Sequence, residues 1–354
     1  MRGDAEMPMN GPDAAAMKVE KQILQGTTRG QKDYRFDDQH DPNLPVQFWF
    51  QESDEGGVLF VVFYSQACRW SRCLGCNLPA RMSRHHVGFR PLMAQIDHVF
   101  LHPHVTARSD ELTKLIVSNN GSVLDEKTFS STALMYLVAR ANIHLPRLAV
   151  LSLETRVEYV EVAELEFLAR ALQEGQTPTV LELAVGLEAF DDHIRNEVFL
   201  KGLRLLDLER LCRMLGQHGF RLKCYFMQKP VPGMSDEDAV QDVQRAIDYL
   251  ARLAETHGVR INLHLNPTYV AYGTAIEDCF RSGEYTPPRL QDVARAVLYA
   301  EGKAVSVFVG LSDEGLACAG GSFIRPGEEA LLARLEHFNR TQDFGALRRP
   351  VGAS

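Results

Sequence analysis

The sequence predicts an α/β protein built on a parallel sheet, and three observations predict it. Short apolar runs alternate with stretches whose apolar residues recur every three or four positions, so strand and helix interleave as right-handed βαβ units do. The strand candidates are nearly continuous in apolar residues, as a sheet buried on both faces requires. Polar residues collect just beyond these strands, in SQACRW, NNGSVLD, ETRVEYV, EAFDD, KP and NPT. In parallel α/β proteins that edge carries the chemistry, because the loops leaving the C-terminal strand ends converge above the sheet.

Taken in order, residues 1–44 are rich in Gly, Asp, Pro and Gln and show no sustained period, which predicts a flexible N-terminal arm with a short helix near Met17 to Leu24. PVQFWFQE and VLFVVFYS, separated by SDEGG, predict a hairpin that leads into a buried strand. The further strands are LTKLIVSN, RLAVLSLE, VLELAVGLE, FRLKCYFMQ, VRINLHLN and AVSVFVGL, with STALMYLVARA, VEVAELEFLARALQ and DAVQDVQRAIDYLARLAETHG as intervening helices. Residues 45–302 form the core of this reading. Residues 303–354 add a strand, a helix in GEEALLARLEHFN and a polar tail.

Composition sets the surroundings. The chain has 354 residues, 45% of them hydrophobic and 24% charged, the profile of a soluble globular protein. No apolar run approaches the roughly 20 residues that cross a bilayer, and the acidic start lacks the basic and apolar regions of a signal peptide. A cytoplasmic location with no membrane partner is the expectation. The net charge of −8 argues against a broad nucleic-acid-binding surface. Arg69, Arg72, Arg81, Arg84 and Arg90 nonetheless group as a local patch, suited to RNA phosphates or to an acidic electron donor such as flavodoxin.

The sequence holds seven cysteines, an odd number that argues against a disulfide framework. Cys212 and Cys224 sit in apolar runs and read as packing atoms, and Cys279 and Cys318 stand alone. Cys68, Cys73 and Cys76 differ, because they share the spacing CxxxxCxxC on an irregular loop that carries Gly75 and Pro79. Three readings are open for them: buried packing, a zinc site completed by His85 or His86, or an iron–sulfur cluster with one iron left free of protein ligands.

The loop leaves the first parallel strand, and SNNGSVLDEKTF, SLETRVEYV, LAVGLEAFDDHIRNEVFLKGL and NPTYVAYGTAIEDCFRSGEYTPP follow it in order. Over Val58 to Tyr299 this series resembles the radical S-adenosylmethionine (radical SAM) superfamily, in particular its archaeosine-synthase and elongator-like members. The resemblance implies a parallel (β/α)₆-type partial TIM barrel and a [4Fe–4S] cluster on Cys68, Cys73 and Cys76. It implies that SAM binds the open iron and is cleaved to a 5′-deoxyadenosyl radical that abstracts hydrogen from a substrate. The usual superfamily spacing is CxxxCxxC, so this loop is one residue longer.

The same resemblance nominates cofactor-binding residues. The end of the second parallel strand commonly binds the SAM amino group through a Gly-Gly-Glu stretch; here Ser118, Asn119, Asn120, Gly121 and Ser122 stand there without the glutamate, and Asn-Gly is also a turn signal. Glu154 and Arg156 share a strand face, with Glu158 continuing it if the chain stays extended; they suit a ribose, an ammonium or the SAM carboxylate, or simply an ion pair. Glu188 follows a buried strand and Arg195 lies on the helix after it, while Asp191 or Asp192 reads as a helix cap and Lys201 with Gly202 as a helix end. Lys229 and Asn266 end later strands at the same edge, Asn266 as a contact to substrate or SAM. The expected substrate is a modified tRNA nucleoside, with a small molecule or peptide as the alternative. A zinc-stabilised binding protein is the non-enzymatic rival. No second cysteine group is present to hold an auxiliary cluster.

Overall fold

In the computed structural model, which describes residues 12–348, all eight expected strands form one sheet in the order β1 to β8. The hairpin pairs β1 (Gln47–Ser53) antiparallel with β2 (Gly56–Val62). Every later pairing is parallel: β3 (Leu112–Ser118), β4 (Val150–Glu154), β5 (Val180–Glu188), β6 (Arg221–Gln228), β7 (Arg260–Pro267) and β8 (Ser306–Val309). The sheet curls, because residues as far apart as Trp49 on β1, Glu154 on β4 and Phe308 on β8 line one cavity of about 1050 Å³. The expected α/β partial barrel is what forms.

Helices cover the convex face. The N-terminal helix α1 (Pro12–Arg29) precedes β1; α2 (Phe89–Phe100) and α3 (Pro103–Thr106) precede β3; α4 (Ser131–His144), α5 (Val162–Leu172), α6 (Leu205–Gln217) and α7 (Asp236–His257) fill the next four crossovers. The last crossover holds α8 (Ala275–Arg281) and α9 (Leu290–Leu298), and α10 (Glu329–Thr341) and α11 (Phe344–Arg348) follow β8. Strand alternation sends Leu115, Val117, Leu151, Leu153, Leu181 and Leu183 outward into the helix layer. The opposite positions point into the barrel, and several are polar yet buried: Lys114, Ser152, Glu182, Lys223 and His264. Among the described residues no helix is long and apolar enough to cross a membrane.

Buried charge at the N-terminal strand ends is paired by one residue of the hairpin turn. Glu55 accepts bonds from Lys114 at 2.9 Å and Arg221 at 2.6 Å, and lies 3.0 Å from Arg260. Lys114 also meets Glu182 at 2.9 Å. Burial alone would raise the Glu55 pKa, but Lys114, Arg260 and Arg221 outweigh it and hold the carboxyl at about 2.

The other exposed margin of the sheet is β8, and α10 covers it. The Asn339 side chain accepts from the Val309 amide at 2.7 Å and donates to its carbonyl at 2.8 Å; Gln342 does the same for Val307 at 3.1 and 2.7 Å. Two side-chain amides thus stand where a ninth strand would pair. The Asn339 carbonyl also accepts from the Asp54 amide at 3.0 Å, tying α10 to the hairpin.

The N-terminal segment corrects the sequence expectation. Residues 1–11 lie outside the described residues, but 12–44 do not form a mobile arm. Val19 and Ile23 on α1 are buried against Ala67 and Met82, and Asp38 forms an ion pair with Arg84 at 2.7 Å. Low apolar content hid this, because the segment docks through few apolar side chains, with hydrogen bonds and an ion pair beside them.

Replacing Glu55 with Gln leaves three cations without their shared carboxylate and is expected to cost about 3 kcal/mol at neutral pH by urea denaturation. A depressed carboxyl pKa stabilises above the unfolded value, so the wild-type advantage should be full above pH 4.5 and vanish as pH falls toward about 2. A variant with unchanged stability across that window would contradict the pairing.

Candidate active site

Above the barrel, the cysteine loop runs from the end of β2 across the cavity. Cys68, Cys73 and Cys76 all line it; the Cys76 thiol feels the charge of Cys73 and Cys68, and the Cys73 thiol that of Cys68. The surrounding protein pushes the Cys73 thiol up and the Cys76 thiol up to about 12. Thiols so enclosed ionise on binding a metal rather than alone. Cations supply the opposing field: Lys201 and Arg156 act on Cys73, and Lys32 acts on Cys76. This donor set fits a cluster whose thiolates are spread over separate irons. The zinc reading needs His85 or His86, but His85 lies exposed on Glu20 at 3.3 Å and neither histidine lines the cavity. Among the described residues no group of three or more His, Cys, Asp or Glu side chains is already placed to hold a metal ion.

The longer spacer between Cys68 and Cys73 has a local explanation. Ser71 takes a left-handed backbone with φ 44°, and its hydroxyl turns back onto the Cys68 carbonyl. The turn sends Trp70 outward, where its indole N–H donates to Leu200 at 2.7 Å and its ring packs on Gly202. Arg72 and Arg156 both lie over that ring, at 4.0 and 4.3 Å from its centroid. Trp70 thereby ties the loop to the segment after β5. Of the other arginines in the expected patch, Arg69 is held by Asp125 and Arg84 by Asp38.

The β3 end shows that the turn and cavity readings of Asn120 and Gly121 coincide. Asn120 has φ 52°, a conformation asparagine tolerates, and both residues line the cavity. A Cβ on Gly121 would sit 3.2 Å from the Cys68 Cα, so glycine lets the two loops meet. Ser122 is not on the cavity wall; its hydroxyl accepts from the Arg156 amide at 3.1 Å and braces the next loop.

Glu154 ends β4 inside the cavity, held by the Ser118 hydroxyl at 2.5 Å and the Tyr225 hydroxyl at 2.6 Å. Burial raises its pKa, these two bonds oppose the rise, and Glu188 adds to it. The strand stops there, so Glu158 does not continue the face and instead pairs with Arg156 at 2.5 Å. Arg156 also donates to the Lys201 carbonyl at 3.1 Å, which leaves its fork only partly free.

Glu188 is the strained residue of the site. It sits at φ 69° where β5 bulges, and it pairs with Lys201 at 2.7 Å, both side chains largely buried. Gly186 lies beneath them, and a Cβ there would overlap both charged groups. Arg195, by contrast, is fully buried away from the cavity: it donates to the carbonyls of Leu203 (2.7 Å), Ala189 (3.1 Å) and Phe190 (2.7 Å) and pairs with Asp192. It is a brace for the loop. Asp191 caps the following turn through the Ile194 amide at 3.0 Å, and Lys229 pairs with Asp236 outside the cavity.

Asn266 lines the cavity, as do four side chains that sequence reasoning did not single out: Tyr225, His264, Phe308 and Glu314. The rings of the first three pack in sequence at tilted angles, with centroids 4.8 and 4.9 Å apart. The His264 Nδ1 is buried without a partner among the described residues, and burial with Lys223 and Lys114 keeps the ring neutral. Burial, then Glu154, raises the Glu314 carboxyl to about 7. Across the cavity Trp49 stacks on Phe60 at 4.2 Å. The available signal was positional: Tyr225, His264 and Phe308 occupy the inward register of their strands.

No family model matches the chain. It is similar to a protein described as archaeosine synthase subunit beta of Methanosarcina acetivorans, 26% identical over 268 residues that make up 73% of this chain and 72% of the relative. The same description belongs to a Thermococcus kodakarensis protein, 25% identical over 151 residues, 43% of each chain. Among solved structures, Elp3 of Methanocaldococcus infernus aligns over 62% of this chain and 51% of its own, with a TM-score of 0.43 and 16% identity. The chain thus spans about half of that protein's length.

Gly186→Ala tests the crowding around Glu188. Alanine at an open strand position would stabilise slightly; here displacement of the ion pair is expected to cost about 1–3 kcal/mol in chemical denaturation. A stabilised variant would show that the pair does not occupy this place.

Proposed function

Starting from an enzyme of the radical SAM type, we propose that this chain binds a [4Fe–4S] cluster and SAM to remove hydrogen from a nucleoside of tRNA. The observation that carries the reading is the meeting of Cys68, Cys73 and Cys76 with the polar C-terminal strand ends around one cavity. When bound, the cluster supplies one electron and the open iron for SAM cleavage to a 5′-deoxyadenosyl radical.

The chain's own residues do the rest. Cys68, Cys73 and Cys76 would hold the cluster. Asn120 and Gly121 offer backbone close to Cys68 for the methionine part of SAM. Glu154, oriented by Ser118 and Tyr225, accepts hydrogen bonds from ribose hydroxyls or an ammonium. The Glu188–Lys201 pair and Arg156 present charge to polar groups of the cofactor. Asn266 and His264 remain to read substrate polar groups, and the barrel wall keeps water and other C–H bonds away from the radical.

The substrate assignment draws on two supports. Two relatives, of Methanosarcina acetivorans and Thermococcus kodakarensis, are described as archaeosine synthase subunit beta. The cavity also has aromatic walls on two sides, Trp49 with Phe60 and Tyr225 with His264 and Phe308, which suit a flat base. Its volume of about 1050 Å³ exceeds what one drug-sized ligand needs, leaving room for SAM and a nucleoside together. We further propose a partner subunit, as the word "subunit" in the relatives' description suggests, and a flavodoxin-type electron donor.

Anaerobic reconstitution of the wild type should give a brown protein that cleaves SAM under reductant; Cys73→Ala should lose both properties, and Cys212→Ala should keep both. Colourless protein with stoichiometric zinc would overturn the reading. For the substrate, deletion of the gene should remove one modified nucleoside from bulk tRNA by mass spectrometry, and an unchanged nucleoside profile would reject tRNA.

A further inference from the structure

We propose that Lys32 is a positioning residue for the cysteine loop, a single ammonium that shapes residues 73–76 and sets the charge beside the cluster. The proposal rests on the cluster reading given above. Lys32 Nζ donates to the carbonyl of Cys73, to that of Leu74 at 2.9 Å and to that of Cys76 at 2.8 Å. An ammonium has three donors, and here all three converge on one short turn. Two of the accepting residues are the cysteines themselves.

The geometry around Lys32 is built rather than incidental. The end of α1 lies directly on the loop through two glycines: a Cβ on Gly26 would collide with the Trp70 carbonyl, and one on Gly30 would sit 2.9 Å from the Arg72 carbonyl. Gln31 turns the chain at φ 53°, and the Lys32 amide closes back on the Thr27 carbonyl at 3.1 Å. The next residue, Asp33, donates its amide to Gly273 at 2.9 Å. Lys32 is therefore fixed on both sides before its side chain reaches the loop. Among the described residues no carboxylate pairs with it, so its charge faces only carbonyl dipoles and the thiols of Cys73 and Cys76.

Two physical effects follow. Carbonyls turned inward by an irregular loop cost free energy unless they meet a donor, and Lys32 meets three of them. A positive charge at this distance also favours the more negative, reduced state of a cluster, so it raises the reduction potential. A lysine that only filled space would do neither.

The test compares full-length wild type, Lys32→Met and Lys32→Arg, each reconstituted anaerobically. The readouts are iron and sulfide per chain, cluster midpoint potential by spectroscopic redox titration, and reactivity of the apoprotein thiols with an aromatic disulfide. Lys32→Met should lose at least half of the bound iron and shift the potential to a more negative value. Lys32→Arg keeps the charge but not the three-point reach, so its potential should stay near wild type while its thiols react faster. Wild-type iron content and potential in Lys32→Met would overturn the proposal. If circular dichroism shows that Lys32→Met does not fold, the Arg variant decides: faster thiol reaction supports the clamp, and a wild-type rate rejects it. Failure of the wild type to take up iron and sulfide would instead reject the cluster reading, leaving thiol reactivity as the separate measure of Lys32.

Discussion

Charge buried inside the curled sheet is the constraint on which the rest of the structure depends. Lys114, Glu182 and Lys223 face inward from the parallel strands β3, β5 and β6, where an isolated ion would be prohibitively costly. The hairpin turn answers at one end with Glu55, which gathers Lys114, Arg221 and Arg260. Lys223 donates to the Asn262 amide oxygen at 3.1 Å and lies over the Phe308 ring, with no carboxylate paired to it among the described residues, and burial and Lys114 push it down to about 8. Pairing is dense at the N-terminal strand ends and thinner inside the barrel, where the His264 Nδ1 has no partner among the described residues. The polarity left unspent there is what a ligand can use.

That gradient organises the site. Glu154 is held by two hydroxyls and no cation in direct contact, whereas Glu188 keeps a lysine. Two carboxylates on neighbouring strands are thus placed in unlike electrostatic settings by their partners, not by their own chemistry. Arg195 shows the opposite outcome: every bond it makes closes a loop, and nothing is left for a ligand.

The architecture was legible because parallel strands announce themselves by apolar runs and their loops by polar ones; each strand read from the sequence formed, and the kinship read from four segments is borne out. The cysteine triplet stood out by its spacing, but its place after the first parallel strand and the segments that follow gave that spacing its meaning. Tyr225 and His264 were not, since FRLKCYFMQ and VRINLHLN look like ordinary buried strands until the register decides which residues point inward. Arg195 misled because a helix position near the site does not reveal that its side chain turns back on its own backbone. The segment containing Lys32 escaped for a different reason: it docks by hydrogen bonds to carbonyls, and a carbonyl leaves no trace in the amino-acid letters.

The amides of Asn339 and Gln342 have a consequence for how the chain is made. Both lie C-terminal to every strand of the sheet, so during synthesis the β8 edge exists before its cover does. An uncovered parallel edge invites pairing with another chain, and the interval before α10 docks is when that hazard is greatest. Two side chains at the end of one helix therefore close the edge last, a burden of biosynthesis rather than of chemistry.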